Sequence, residues 1–273
     1  MKKYKKIIGF CLALITVSCA DKEECTYDDT FPYACDNGMD VAFVIDYTGS
    51  MGSAINNIKT GVASIASTIV TESGGDYRLS LSIFDEYEKT LNPTYFSNVD
   101  YTSLPAANKK IITTGTSVNQ YLTMMEKFSA LNSGTFSTQL AKLNGAIPLG
   151  NGNSFAEPGG LLMNEIVNNA FASPWRTGKT KIMIIITDAT DGGDDDIATA
   201  VDDAYLSALA TQANAAQIQC ILISTYPSSN YQVHFIGNNT TGVTSINSDN
   251  FASIASSINT LIENLCDSNI DVD

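Results

Sequence analysis

Oxygen-bearing side chains follow two apolar segments of the sequence, and their types suit a hard divalent cation. Asp46 ends the apolar segment 40–46, and Thr48 and Ser50 follow it at alternate positions. Asp188 comes directly after the second apolar segment, 181–187. Carboxylate and hydroxyl oxygens are the ligands that Mg²⁺, Mn²⁺ and Ca²⁺ prefer. The residue types and their spacing therefore indicate a divalent-cation site.

The segments that must position these side chains alternate between strand and helix patterns. The two apolar segments before Asp46 and Asp188 are predicted to be buried strands. Further strands are predicted at 77–84, 121–128 and 220–224. Helices are predicted, from apolar residues three or four positions apart, at 55–69, 136–143, 161–171, 198–209 and 251–265. Residues 86–118, which contain Pro93 and Pro105, are interpreted as an insertion of undefined structure.

This order of elements predicts an α/β fold, a three-layer sandwich with a mostly parallel central sheet flanked by helices. Ligands of an open parallel sheet bind beyond the carboxyl ends of its strands. Asp46 and Asp188 both follow strands, so both are expected at that edge.

The segment Asp46-Tyr47-Thr48-Gly49-Ser50 is similar to the opening motif, D-x-[S/T]-x-S, of von Willebrand factor type A (VWA) domains. The run that ends in Thr187-Asp188 resembles a later strand of that family, and the resemblance covers residues 38–266. It implies a metal-ion-dependent adhesion site (MIDAS), in which Asp46, Thr48 and Ser50 bind the metal and Asp188 joins through water. The implied cofactor is Mg²⁺, or alternatively Ca²⁺ or Mn²⁺.

The middle loop of the implied site departs from the family pattern. Many VWA domains have a Thr there, whereas integrin β subunits have a Glu in a Pro-Glu-Gly-Gly stretch. This sequence has Ala156-Glu157-Pro158-Gly159-Gly160, in which the Pro and the Glu are transposed. Glu157 is the expected metal ligand and Ser154 the alternative. A third carboxylate should raise metal affinity and favour Ca²⁺ over Mg²⁺.

The first residues have the pattern of an export signal. Four Lys residues precede a short apolar stretch at 7–17, and Ser18-Cys19 resembles a lipobox, with Thr16 where Leu is usual. We therefore predict a lipoprotein signal peptide at 1–18, a lipid on Cys19, a tether at 19–38, a VWA domain at 39–267 and a tail at 268–273. Acidic residues and a Lys at 21–24 resemble a surface-export signal. The expected location is the outer membrane or cell surface, and an ordinary secreted protein is the alternative.

The charge balance limits the classes of partner. The chain has 15 Lys and Arg against 29 Asp and Glu, and removal of the leader leaves 11 against 29, a net charge of −18. Such a surface repels nucleic acid and anionic lipid headgroups, so contact with the membrane is expected only through the lipid. The acidic run 191–196 lacks EF-hand spacing, and we expect its carboxylates at the N-terminus of the following helix.

Cysteine usage is consistent with an oxidising compartment. Four cysteines lie beyond the predicted lipid site: Cys25, Cys35, Cys220 and Cys266. One or two disulfides are expected, and the sequence leaves three full pairings open. A single His and the lack of a Cys-x-x-Cys motif argue against a zinc site. The VWA resemblance implies a Cys35–Cys266 disulfide, because both ends of that fold meet opposite the metal; Cys220 is expected to be a buried thiol.

Three function classes follow from these observations. The first is a non-enzymatic binding or adhesion module whose metal accepts a carboxylate from a protein partner. The second is a passive structural subunit of an envelope secretion or motility assembly. The third is a metal-dependent hydrolase, for which Asp85 and Glu86, at the end of a neighbouring strand, are the candidate bases.

Overall fold

Seven strands form one central sheet in the computed structural model, which describes residues 35–88, 103–113, 118–143, 149–150, 155–195, 197–247 and 249–267. The strands are β1 (Met39–Asp46), β2 (Tyr77–Glu88), β3 (Lys109–Thr113), β4 (Val118–Glu126), β6 (Thr180–Thr187), β8 (Ile218–Ser224) and β9 (Val243–Ile246). Their spatial order is β3-β4-β2-β1-β6-β8-β9. Five neighbouring strands from β2 to β9 are parallel, while β4 runs antiparallel to both β2 and β3. Two short segments, β5 (Ala156–Glu157) and β7 (Thr190–Asp191), form a separate parallel ribbon.

Helices cover both faces of this sheet. The helices are α1 (Ile55–Glu72), α2 (Ser133–Ala141), α3 (Gly159–Asn168), α4 (Ala200–Ala215) and α5 (Ile254–Asp267). The first hydrophobic core joins one sheet face to α1, α2 and α5, and the second joins the other face to α3 and α4. The predicted three-layer α/β architecture with a mostly parallel sheet is confirmed.

Strand β1 shows why the sheet is buried on both sides. Val41, Phe43 and Ile45 point into the first core, and Ala42 and Val44 point into the second. Alternate side chains of a strand face opposite sides, so an uninterrupted apolar strand is stable only between two helical layers. This position holds the last residue of the strand, Asp46, away from solvent.

The structure extends and corrects several predicted elements. Strand β2 continues to Glu88, so Asp85 and Glu86 lie within it and not at its end. The segment interpreted as an undefined insertion contains β3, which pairs with β4. Strand β9 and the β5–β7 ribbon have too few residues for a periodic pattern of apolar side chains to be visible in the sequence. A π-helical segment at Tyr231–Phe235 also follows β8.

The two ends of the described domain are joined covalently. Cys35 lies in a short 3₁₀ helix before β1 and forms a disulfide with Cys266 in α5, 231 residues later. The predicted Cys35–Cys266 pairing is thereby confirmed, and Cys220 is a buried free thiol as expected. No helix among the described residues is long and apolar enough to span a membrane.

Several sequence predictions concern residues outside the described ranges. These are the signal peptide at 1–18, the lipidated Cys19, residues 19–34 of the tether, Cys25, Ser154 and the tail at 268–273.

Candidate metal centre

Asp46 is the last residue of β1 and is fully buried. Its Oδ1 accepts hydrogen bonds from the Thr48 backbone N–H at 3.0 Å and from the Thr48 hydroxyl at 2.7 Å. Its Oδ2 accepts a hydrogen bond from the Thr187 hydroxyl at 2.7 Å. The turn after β1 therefore folds back on the strand end, and the carboxylate is held by one hydroxyl group of that turn and one at the end of β6.

Ser50 connects the turn after β1 to the end of β6. It lies in a 3₁₀ turn, Gly49–Ser53, that leads into α1. Its Oγ lies 3.2 Å from the Thr48 Oγ1 and donates a hydrogen bond to Asp188 Oδ1 at 2.9 Å. Ser50 is exposed and Asp188 half-buried. Ser50 and Asp188 form the solvent-facing side of the cluster, and Asp46 forms its buried side.

Glu157 reaches the same cluster from the short β5–β7 ribbon. It ends β5, and the pairing of β5 with β7 places that ribbon next to the segment that follows Asp188. Glu157 is 4% exposed, and its carboxylate interacts with the Thr48 side chain and is repelled by the charge of Asp46. The Oε2 atom is buried and has no hydrogen-bond partner. The structure thus brings all five predicted ligands, Asp46, Thr48, Ser50, Glu157 and Asp188, to one edge of the sheet.

Burial raises the pKa values of the three carboxyl groups, and the charges of neighbouring carboxylates add to the shifts of Asp46 and Glu157. Desolvation, followed by the charge of Asp188, raises the pKa of Asp46 to about 7, although hydrogen bonds from Thr187 and Thr48 oppose the shift. Desolvation also raises the pKa of Asp188. Desolvation, then the charges of Asp46, Glu86 and Asp85, raises the pKa of Glu157 well above its usual range. A cluster of this kind favours either protons or a cation.

Two buried acidic residues lie close to this cluster without being predicted ligands. Asp85 and Glu86 are fully buried in β2, and both contribute to the raised pKa of Glu157. Asp85 Oδ1 accepts a hydrogen bond from the Glu86 backbone N–H at 2.8 Å. Burial removes both side chains from the solvent-facing side of the cluster.

Thr187 was not among the predicted site residues, although it contacts Asp46 directly. The contact follows from the parallel β1–β6 register, in which Ile45 pairs with Ile186, and not from a local sequence pattern. The next residue on each strand is then Asp46 and Thr187, which places both at the same level of the sheet. A correct strand alignment would have predicted this contact.

The position of Asp191 differs from the sequence interpretation of the acidic run. Its buried carboxylate accepts hydrogen bonds from the Gly160 backbone N–H at 2.7 Å and from the Tyr231 hydroxyl at 2.9 Å. Gly160 lies at the N-terminus of α3, the preceding helix, and not at that of α4. The prediction that the carboxylates of this run lie at the N-terminus of the following helix is therefore wrong for Asp191. Helix α4 is capped by Thr199 and Asp202 instead.

The donor atoms present fit a hard divalent cation. In the described part of the chain, no group of three or more His, Cys, Asp or Glu side chains has a metal-binding arrangement. A cation here would have to be bound by carboxylate and hydroxyl oxygens together, as Asp46, Thr48, Ser50 and Asp188 provide. The buried Glu157 Oε2, which has no hydrogen-bond partner, adds a further hard oxygen on the inner side.

Comparisons with known proteins identify the fold. The sequence matches no protein-family profile and no curated protein. The structure is similar to the crystal structure of the SpRpn10 VWA domain, with a TM-score of 0.51 and 10% identity over 81% of this chain and 95% of that chain. The chain has a VWA fold.

A second solved structure with a similar fold is that of proximal thread matrix protein 1 from the mussel byssus. Its TM-score is 0.50, its identity to this chain is 12%, and the match covers 84% of this chain and 47% of that protein. The VWA-fold chain therefore spans about half the length of the mussel protein. At identities this low, the likeness is one of fold, and the function has to be argued from the site.

Proposed function

We propose that this VWA-fold chain is a binding module that holds a divalent cation and, through it, a carboxylate of a protein partner. The observation that carries the proposal is the convergence of Asp46, Thr48, Ser50, Glu157 and Asp188 at the carboxyl edge of the sheet. Sequence resemblance to a MIDAS selects the same residues independently of the coordinates. Mg²⁺ is the proposed cation, with Ca²⁺ and Mn²⁺ as alternatives.

The residues of the site have separate roles in this proposal. Asp46 and Glu157 provide buried negative charge that is not compensated by a nearby basic side chain in their described contacts. Thr48 and Ser50 orient neutral oxygens toward the cation, and Asp188 contributes charge at the solvent-facing side. A bound divalent cation supplies a Lewis-acidic centre that attracts a partner's carboxylate. The exposed side at Ser50 is where that carboxylate approaches.

Binding is proposed in preference to catalysis. A hydrolase needs a base or nucleophile that reaches the substrate, and Asp85 and Glu86 are both completely buried. His234, the only histidine, lies beside Asp203, with 3.5 Å between Nε2 and Oδ2. Neither arrangement favours acid–base chemistry at the exposed side of the site.

We also propose that the domain is attached to the outer membrane or cell surface by a lipid on Cys19. The Lys-rich and apolar leader with its Ser18-Cys19 boundary supports this location. Replacement of Cys19 by Ala should move the protein from the membrane fraction to the soluble or secreted fraction of the producing cell. Membrane association of the Cys19→Ala variant equal to that of wild type would contradict the lipid anchor.

The metal proposal is tested by isothermal titration of residues 20–273 with MgCl₂, CaCl₂ and MnCl₂. The wild-type chain should bind one cation in a saturable manner, and the Asp46→Ala, Ser50→Ala double variant should lose that binding. A matched control is the Asp194→Ala, Ser67→Ala double variant, which removes the same groups from exposed positions outside the site. If the control variant retains cation binding, the loss in the Asp46→Ala, Ser50→Ala variant is caused by the change at the site.

No saturable binding by the wild type would refute the metal centre. Equal cation binding by both double variants would show that the cation binds elsewhere on the protein. The alternative of a passive structural subunit predicts metal binding that raises the melting temperature but no metal-dependent protein ligand. A metal-dependent ligand that disappears on addition of EDTA favours the binding module.

A further inference from the structure

The backbone of Glu157 is held by the short β5–β7 ribbon. Glu157 pairs with Asp191 in that ribbon, and the Gly192 backbone N–H donates a hydrogen bond to the Glu157 carbonyl oxygen at 3.1 Å. An isolated ribbon of two strands is only marginally stable by itself, and each strand here has two residues. The position of Glu157 therefore depends on side chains from other elements that hold the ribbon in place.

Tyr231 connects the two strands of the ribbon. It is the first residue of the π-helical segment and is 1% exposed. Its hydroxyl oxygen lies 2.9 Å from Asp191 Oδ1 and 3.3 Å from the Glu157 carbonyl oxygen. A donor placed between two acceptors can form a bifurcated hydrogen bond. One buried hydroxyl from a distant segment thus contacts both β5 and β7.

Asn230, the preceding residue, holds β7 through its side-chain amide. Its Oδ1 accepts hydrogen bonds from the Asp191 backbone N–H at 2.7 Å and from the Thr190 hydroxyl at 2.6 Å. Its Nδ2 donates a hydrogen bond to the Asp191 carbonyl oxygen at 2.9 Å. Buried backbone N–H and C=O groups require such partners. The Asn230 side chain therefore pairs with Asp191 as a neighbouring strand would.

Two glycines after Glu157 leave space for this arrangement. The Gly160 backbone N–H donates a hydrogen bond to Asp191 Oδ1 at 2.7 Å. A methyl group at Gly160 would lie 2.6 Å from Asp191 Oδ2, and one at Gly159 would lie 2.4 Å from the Tyr231 hydroxyl oxygen. Both distances are far inside van der Waals contact. The absence of side chains therefore lets the start of α3 approach Asp191 and Tyr231.

We propose that Tyr231 and Asn230 are positioning residues for Glu157, and that they set the cation affinity of the proposed metal centre through the ribbon. Their described side-chain hydrogen bonds go to the ribbon, and neither is a proposed metal ligand. Groups that orient metal ligands change metal affinity by about 10- to 100-fold when they are removed. The inference rests on the proposed function and extends the site to the segment after β8.

Cation affinity is measured by isothermal titration of residues 20–273 with MnCl₂. Tyr231→Phe removes one hydroxyl and leaves the ring in the second core. Tyr77→Phe is the matched control, because Tyr77 is also buried and its hydroxyl donates a hydrogen bond to Ser133 Oγ at the same distance, 2.9 Å. Tyr77 begins β2, so it lies at the opposite edge of the sheet from the metal centre. The Kd for Mn²⁺ should rise about tenfold in Tyr231→Phe and remain at the wild-type value in Tyr77→Phe.

A second pair of variants tests Asn230. Asn230→Ala should raise the Kd for Mn²⁺ by about tenfold or more, because β7 loses its partner. Asn132→Ala is the matched control, since the buried Asn132 accepts a hydrogen bond from the Leu79 backbone N–H at 2.9 Å and donates one to the Leu79 carbonyl oxygen at 2.8 Å. The control removes the same kind of pairing from a residue outside the ribbon, so it should bind Mn²⁺ like wild type.

Hydrogen exchange in EDTA provides a readout that needs no metal. The Gly192 backbone N–H reports on its hydrogen bond to Glu157. NMR should show faster exchange of this amide in Tyr231→Phe and Asn230→Ala than in wild type, because the ribbon opens more often. Its exchange in the two control variants should equal that in wild type.

Lower cation affinity together with faster Gly192 exchange, in Tyr231→Phe and Asn230→Ala but not in their controls, supports the positioning role. Unchanged cation affinity in either variant, equal losses in variants and controls, or a change in only one of the two measurements would overturn that role and leave the proposed function intact. No saturable Mn²⁺ binding by the wild type would refute the metal centre and this inference with it.

Discussion

Three buried aspartates of this chain have the same side chain in different surroundings. Asp46 accepts hydrogen bonds from the hydroxyls of Thr48 and Thr187, and Asp191 accepts them from Gly160 and Tyr231. Asp40 instead contacts two guanidinium groups. The surroundings decide the role: a proposed cation ligand for Asp46, a structural acceptor for Asp191, and a member of an ion-pair cluster for Asp40.

The pH dependence of stability provides a test of the Asp191 environment. Desolvation raises the pKa of Asp191 to about 7 in the folded chain, from an ordinary value of 3.8. A raised carboxyl pKa stabilises the fold at pH values below about 4, and this contribution is lost as the pH rises through 7. In EDTA, the free energy of unfolding should therefore fall more steeply between pH 4 and 8 in wild type than in Asp191→Asn.

The measurement is urea unfolding followed by circular dichroism across that pH range. Asp194→Asn is the control, because Asp194 is an exposed neighbour in the same acidic run, and it should retain the wild-type slope. The same slope in wild type and Asp191→Asn would contradict the account of the Asp191 environment.

At the scale of elements, the close approach of α1 and α5 depends on one glycine. A methyl group at Gly61 would lie 1.9 Å from Ile254 Cγ2, well inside van der Waals contact. Helix α5 also contains Cys266 of the disulfide and packs Ile254, Ile258 and Ile262 into the first core. The lack of a side chain at Gly61 therefore allows the last helix to pack against the first.

Substitution of Gly61 by Ala should destabilise the domain even though Ala favours helix. Overpacking costs about 1–3 kcal/mol, while the gain in helix propensity is about 1 kcal/mol. The matched substitution Gly134→Ala, in α2, meets no atom within 4 Å and should stabilise by up to about 1 kcal/mol. Chemical denaturation measures both, and equal stabilisation by the two variants would show that α1 and α5 are not in close contact at Gly61.

At the scale of the whole molecule, the two edges of the sheet have different electrostatics. The carboxyl edge gathers the acidic residues of the candidate metal centre. At the opposite edge, Asp40 is fully buried and accepts hydrogen bonds from Arg78 and Arg176, at distances between 2.5 and 2.9 Å. Arg176 also pairs with Asp76, which Lys179 contacts at 2.8 Å. The carboxylates at the Asp40 edge are paired with basic side chains of the same chain. The carboxyl edge has an excess of acidic side chains.

Removal of the Asp40 charge should therefore destabilise the fold without affecting cation binding. Asp40→Asn leaves two guanidinium groups without their buried counter-ion, and loss of one partner from a buried ion pair costs about 3–5 kcal/mol. The exposed Asp36→Asn, near the same edge, serves as control and should change stability little. Cation affinity measured by titration below the unfolding transition should match wild type in both variants, and a large loss in Asp40→Asn would show that the two edges are coupled.

Much of this architecture could be predicted from local patterns in the sequence. The apolar runs before Asp46 and Asp188 predict β1 and β6. Helical spacing predicts all five helices, four with ends within three residues of those observed and the fourth helix, α4, ending six residues too early. The D-x-T-x-S motif and the Glu157 loop select the candidate ligands. These features can be predicted locally because the spacing of apolar side chains and the residue types of a turn depend on only a few neighbouring residues.

Other features depend on contacts between residues far apart in the chain. The Thr187–Asp46 hydrogen bond follows from strand register, and β9 and the β5–β7 ribbon are too short to show a period. Asp191 binds Gly160 of the preceding helix, 31 residues away. The burial that raises the carboxyl pKa values arises only when the chain packs. Burial and pairing are properties of distant segments brought together, so that only the tertiary structure decides them.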